Sequence, residues 1–172
     1  MSSPFARATK TIEIPFDQPH EVTVQQLNGR QLGKAQKAFF NELIADVQVR
    51  GGAKVQKDIQ TLFEKDPATA KGEIEKVKDD PLNGYDKYTL LYDGIKAWTY
   101  QESLERVAVE EPTSDGRKIT VMRVPAIDSL SDEAVDFFAT EVLKLTKPSL
   151  FLTPEEREAA QKKADGVPSI TE

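Results

Sequence analysis

Few of the 172 residues could carry covalent or acid–base chemistry. There is one histidine, His20, and no cysteine. Thiolate catalysis, disulfide frameworks and cysteine-based zinc sites are therefore closed to this chain. Any Ser-His-Asp arrangement would have to be built on His20, which follows Pro19 in a turn-like stretch. A general base or metal ligand there would need convergent partners. The competing reading, a solvated hairpin residue, needs none and is preferred. A Gly-x-Ser-x-Gly nucleophile elbow is also missing from the sequence.

Acidic pairs stand at Asp79-Asp80, Glu110-Glu111 and Glu155-Glu156. Each falls in a turn or at a helix start, where acids are favoured for local reasons. A hydrolase using two carboxylates would want them across a cleft. Gly51-Gly52 with Lys54 lacks the Walker spacing and follows no strand pattern, so a hinge or helix break is the better reading. Arg50, Lys54 and Lys57 read as a solvated helix surface. Tyr85, Tyr88, Tyr92, Trp98 and Tyr100 crowd one stretch. They could form a binding hot spot, but helix-end and core packing is the simpler reading. Phe151 and Leu152, between Pro148 and a capping box, could either dock a partner or pin the last helix to the body. On this survey the chain is expected to be non-catalytic and to need no cofactor or metal.

Composition points the same way. Charged residues make up 30% of the chain and the net charge is -6. An acidic balance favours solubility and opposes phosphate backbones, so nucleic acid is not an expected partner. No stretch approaches the ~20 apolar residues that span a bilayer, and a membrane is not expected either. The opening Met-Ser-Ser-Pro-Phe-Ala-Arg lacks the apolar run of a signal peptide. The length suits one domain able to bury roughly 70% of its unfolded surface.

The elements that would position these residues follow from periodicity. Residues 1–10 read as a flexible leader. Ile12, Ile14 and Phe16, then Val22 and Val24 beyond Asp17-Gln18-Pro19, alternate as a β-hairpin with one buried face. Asn28 is placed to cap a helix. From about Arg30, the spacing of Leu32, Ala35, Phe39, Leu43 and Val47 makes a helical stripe. Ala38, Phe40 and Ile44 widen it to more than one face. Residues 51–80 read as a solvated helical arm. Tyr88, Leu91, Ile95 and Trp98 predict one core-facing helix that ends at the tryptophan. Gly94 inside that helix costs about 1 kcal/mol relative to alanine, which implies close packing. Two β-rich runs flank Pro112-Thr113-Ser114-Asp115-Gly116, predicting a second hairpin over 104–124. Ser131 caps a helix with the stripe Val135, Phe138, Val142 and Leu145. Thr153-Pro154-Glu155-Glu156 is a capping box that opens a final helix to about Ala164, with a disordered tail from Asp165. The expected class is α+β, mainly helical: an N-terminal β-hairpin, a helical bundle and the second hairpin. The domain is placed at 11–150, with 151–172 as an appended helix and tail.

The order of these features resembles a known family. A hairpin ends in Val24-Gln25-Gln26-Leu27-Asn28-Gly29-Arg30-Gln31-Leu32 and enters a long helix directly. A central segment reads Leu90-Leu91-Tyr92-Asp93-Gly94-Ile95-Lys96-Ala97-Trp98. Ile127-Asp128-Ser129-Leu130-Ser131-Asp132-Glu133-Ala134 leads a helix that closes on Leu143-Lys144-Leu145-Thr146-Lys147-Pro148. Over about residues 10–150 the chain is similar to the tail assembly chaperones of long-tailed bacteriophages. The resemblance implies a protein of the infected bacterial cytoplasm that binds the tape measure protein, keeps that long apolar helical chain soluble and helps recruit the major tail tube protein. It leaves a homo-oligomer and a longer frameshifted product open, and supplies no catalytic residues. The hairpin at 104–124 departs from the family's texture and suggests instead a structural tail or head-completion protein of the virion. The broad helix and the C-terminal apolar pair are the expected partner-binding residues: Leu32, Phe39, Phe40, Leu43, Ile44, Phe151 and Leu152.

Overall fold

The computed structural model describes residues 6–50, 80–113 and 116–165. Of the arm expected over 51–80 and the tail expected from Asp165, residues 51–79 and 166–172 lie outside the described residues, and Asp165 still belongs to the last helix. Two small antiparallel sheets and five helices make a mixed α+β architecture among the described residues.

Strands β1 (Thr9–Glu13) and β2 (Glu21–Gln25) form the first hairpin, with Ile12 opposite Val22 and Thr11 opposite Thr23. The period-two pattern predicts this: Ile14, Val22 and Val24 are fully buried, while Thr11 and Thr23 join hydroxyls at 2.9 Å on the other face. The leader is shorter than expected. Thr9 and Lys10 are already in β1, the Ala8 carbonyl accepts from Gln26 N–H at 2.8 Å, and Arg7 reaches Gln31 at 2.9 Å.

Helix α1 spans Gly29–Arg50. Its start is a reciprocal cap: Gln31 N–H donates to Asn28 Oδ1 at 2.9 Å, and Asn28 N–H donates to Gln31 Oε1 at 3.1 Å. Two of the otherwise orphaned donors at the helix start are thereby satisfied.

Helix α2 (Lys87–Gly94) is shorter than the spacing predicts. Ile95–Trp98 leaves the helix and forms β3, which pairs with β2 through Val22 opposite Trp98 and Val24 opposite Ile95. The first sheet therefore has three strands in the order β1-β2-β3. The free edge of β2 offers a row of backbone partners that the helix could not use, and tertiary pairing overrides the three-and-four spacing.

The second hairpin is observed as β4 (Val107–Pro112) and β5 (Lys118–Arg123), paired from Val107 opposite Arg123 to Pro112 opposite Lys118. A short helix α3 (Pro125–Asp128) leads to α4 (Asp132–Thr146), capped by Ser131 Oγ accepting from Ala134 N–H at 3.3 Å. After a single 3-10 turn (Pro148–Phe151), α5 (Pro154–Asp165) opens on the predicted box, with Thr153 and Glu156 exchanging bonds of 2.8 and 3.2 Å.

The core lies where α2 and α4 cross over the inner face of the first sheet. Phe138, Leu143 and Val142 of α4 meet Leu90 and Leu91 of α2, with Ile14, Val22 and Val24 beneath and Ile127 at one end. Helix α1 joins only through its first turns, where Leu32 and Ala35 are buried against this cluster. No described helix is long and apolar enough to cross a membrane.

Candidate functional site

The nominated partner-binding residues separate into three environments. At 3.6 residues per turn, Leu32, Ala35, Phe39 and Leu43 share one side of α1, and Phe40 and Ile44 lie on the adjoining side. Leu32 retains 7% of its accessible surface. It is core, and its nomination as a docking residue is corrected on that ground. Phe39 is half-buried and meets Phe40 edge to face at 5.7 Å. Beyond it the apolar side chains of α1 stand uncovered. Phe40 is 54% exposed, Leu43 48% and Ile44 54%, an apolar row at steps of three and four with Lys37, Asn41 and Glu42 exposed beside it.

Phe151 and Leu152 are half-buried. Leu150 and Phe151 pack against the core cluster, and the Lys144 ammonium stands 5.9 Å from the Phe151 ring centroid. For Phe151 this packing fits the pin reading, fastening the turn before α5 to α4. The exposed part of α1 and this turn sit on different elements.

Residues that were not nominated extend the exposed apolar surface. In β4–β5, cross-strand partners share a face, so Val107, Val109, Val121 and Ile119 line one side and Ala108 and Met122 the other. Val107, Val109, Ile119 and Met122 are exposed. The hairpin was legible from its turn, but its two faces were not, because both carry apolar residues and neither covers the core. Between this hairpin and α1 runs a groove of about 450 Å³ lined by Ala38, Glu42, Thr89, Val121 and Met122 among others.

Polar links fix the hairpin at its base. The Arg106 guanidinium contacts the buried Asp93 carboxylate at 2.8 Å and the Tyr92 carbonyl at 2.6 Å. Arg123 donates to Glu111 at 2.7 Å and to the Tyr92 hydroxyl at 3.2 Å, and that hydroxyl donates in turn to Asp128. Burial, then the bond to Asp128, pushes the Tyr92 phenol up to about 12. Arg123 is held still more firmly charged by Tyr92 and Glu111. Tyr92 therefore remains a protonated donor at neutral pH and acts as a strut.

A second buried carboxylate, Glu141, accepts from Lys144 at 2.7 Å and Lys10 at 3.2 Å. Burial pushes its pKa up, but the two ammoniums outweigh that and hold it below the usual carboxylate range. A carboxylate kept ionised by two lysines joins β1 to α4 and is poorly disposed to take up a proton.

His20 is engaged locally, by a threonine and a tyrosine. Its Nδ1 lies 3.1 Å from Thr99 Oγ1 and its ring stacks on Tyr100 at 4.5 Å. Among the described residues no group of three or more His, Asp or Glu side chains could hold a metal ion.

No family model, no curated protein and no solved structure matches this chain.

Proposed function

We propose that this protein is a non-catalytic, protein-binding chaperone of phage tail assembly, and that its client is an apolar helical stretch of the tape measure protein. The observation that carries the reading is the row Phe40, Leu43 and Ile44. A partner helix laid along α1 meets anchors at i, i+3 and i+4, the spacing by which amphipathic helices recognise one another. Half-exposed aromatic and aliphatic side chains in one row, bordered by charge, are costly to leave in water and suited to transient cover. The net charge of -6 keeps a loaded complex soluble. The order of elements from the first hairpin into α1, and from Ser131 into α4, supports the same family resemblance and with it a place in the infected bacterial cytoplasm. The resemblance extends the client list to the major tail tube protein.

Co-expression tests the proposal. The tape measure protein is expected to move from the pellet to the soluble fraction and to co-purify with this chain. If the two neither co-purify nor change each other's solubility, the reading fails.

The β4–β5 hairpin favours a second reading, a structural component of the tail or head-completion complex. It stands apart from the main sheet, both of its outer edges are unpaired among the described residues, and it exposes Val107, Val109, Ile119 and Met122. A two-stranded ribbon is marginal alone and gains from an added strand. Mass spectrometry of purified particles separates the two readings, since stoichiometric presence in mature virions belongs to the second.

A further inference from the structure

A cleft of about 370 Å³ opens where the β1–β2 turn and the end of β3 meet the corner between α3 and α4, and its described lining includes no residue of α1. Its apolar wall is aromatic: Phe16 from the β1–β2 turn, Trp98 at the end of β3 and Tyr100 just beyond it, with Leu130 at the base. Trp98 and Tyr100 meet edge to face at 5.4 Å. The polar donors of both rings are already engaged, Trp98 Nε1 with the Glu102 carbonyl at 2.8 Å and the Tyr100 hydroxyl with Asp17 Oδ2 at 2.8 Å. What remains for a ligand is ring surface, apart from the Tyr100 face on which His20 stacks.

Among the described residues the two charged side chains that line the cleft are both acidic, Asp17 and Glu102, and no lysine or arginine lines it. Neither carboxylate has an ion-pair partner among the described residues, unlike Glu141 and Asp93, which have two each, and Glu111, which has Arg123. The two acids also bear on Tyr100 itself. Burial, then Asp17, then Glu102 push its phenol up to about 12, so the hydroxyl stays a donor and keeps Asp17 in place. The Asp17 backbone is fixed as well, its N–H on the Ile14 carbonyl at 3.2 Å and its carbonyl accepting from His20 at 3.0 Å. The start of α4 reaches the cleft through Ser131 and Ala134. Its positive end is met locally, by the Ser131 cap on Ala134 N–H and by Asp132 and Glu133 in the first turn.

We propose that this cleft binds an ammonium or guanidinium group, carried by a lysine or arginine side chain of a partner protein or by a free amine. Aromatic faces attract such cations within about 6 Å, tryptophan most strongly, and carboxylates at the mouth complete the recognition. The volume accommodates one long basic side chain with its methylene stem along Phe16 and Leu130. The site is independent of α1, so it stands or falls separately from the chaperone reading.

Trp98 is the only tryptophan of the chain, so its emission reports the site directly. The full-length protein is titrated at fixed ionic strength with N-acetyl-lysine methylamide, N-acetyl-arginine methylamide, butylamine and the neutral N-acetyl-norleucine methylamide, with the Trp98 indole N–H resonance followed in parallel. Saturable changes are expected with the cations, and about tenfold weaker binding of the norleucine compound. The double variant Asp17→Asn/Glu102→Gln, with unchanged far-ultraviolet circular dichroism, is expected to lose about tenfold in cation affinity and nothing for norleucine. Tighter binding of the capped amino acids than of butylamine assigns the site to a protein partner; equal binding assigns it to the amine alone. Equal response to lysine and norleucine, no saturable response in either signal, or a double variant that binds cations as well as the parent overturns the proposal.

Discussion

Replacing Gly94 by alanine places a methyl group 2.6 Å from both Cγ atoms of Val142 and 3.2 Å from its Cβ. Those distances are inside van der Waals contact, and the obstacle cannot swing away. Val142 is fully buried in the middle of α4, and a β-branched side chain in a helix has essentially one rotamer. Either α2 or α4 must therefore move. Overpacking of this kind costs about 1–3 kcal/mol. Alanine's better helix propensity and the lower entropy of its unfolded chain offset less than about 1 kcal/mol, because Gly94 is the last residue of α2. A net loss of about 1–2 kcal/mol lowers the melting midpoint of a chain this long by roughly 2–8 °C. Val142→Ala alone removes two buried methyl groups and costs about 1.5–3 kcal/mol. In the double variant the new methyl enters the vacated space, so Gly94→Ala/Val142→Ala is expected to be no less stable than Val142→Ala, a coupling of about 1–2 kcal/mol. Calorimetry on the four proteins reads this cycle. Additive losses, or a Gly94→Ala protein that melts at or above the parent, refute the packing argument.

Three further perturbations separate core from surface. Leu32→Ala is expected to cost about 2–4 kcal/mol in urea unfolding, whereas Phe40→Ser, on the same helix, stays within about 0.5 kcal/mol. Asn28→Ala removes one arm of the α1 cap and should cost about 1 kcal/mol by the same measurement. Because the folded chain holds the Glu141 carboxyl below its unfolded value, the unfolded chain binds the extra proton, and stability rises with pH across that interval. The contribution is present above the ordinary glutamate range and is lost as pH falls through the lowered folded value. Urea midpoints of Glu141→Gln should therefore fall less steeply with acid than those of the parent, and parallel curves would contradict the Lys10–Glu141–Lys144 account.

Local chemistry was the most legible part of the sequence. Asn28, Ser131, and Thr153 with Glu156 announce helix starts through side chains that act within three residues, and each is found at its start. The first hairpin was legible because alternation at Ile12, Ile14, Val22 and Val24 reports one buried face. The spacing Tyr88, Leu91, Ile95, Trp98 fits a helix, yet Ile95–Trp98 is a strand, because the reason to leave the helix lies in β2, more than seventy residues earlier in the chain. Gly94 was the one local signal of that switch: a glycine at the end of α2, tight against Val142. The candidate docking row was legible as apolar but not as exposed. Leu32 and Phe40 belong to one continuous pattern, and only the core packed over the first turns of α1 distinguishes them. The cleft beside Trp98 was harder still. Phe16, Asp17, Trp98, Tyr100 and Glu102 come from two distant segments, and the pairing of β2 with β3 brings them together.

The central claim is that Phe40, Leu43 and Ile44 hold the client. Affinity of the tape measure protein for the parent and for Phe40→Glu/Ile44→Glu, measured side by side on proteins of equal melting temperature, tests it most directly. The account predicts binding to the parent and at least a roughly tenfold loss in the variant, since two charges would have to be buried against an apolar helix. Equal affinity for both proteins contradicts it.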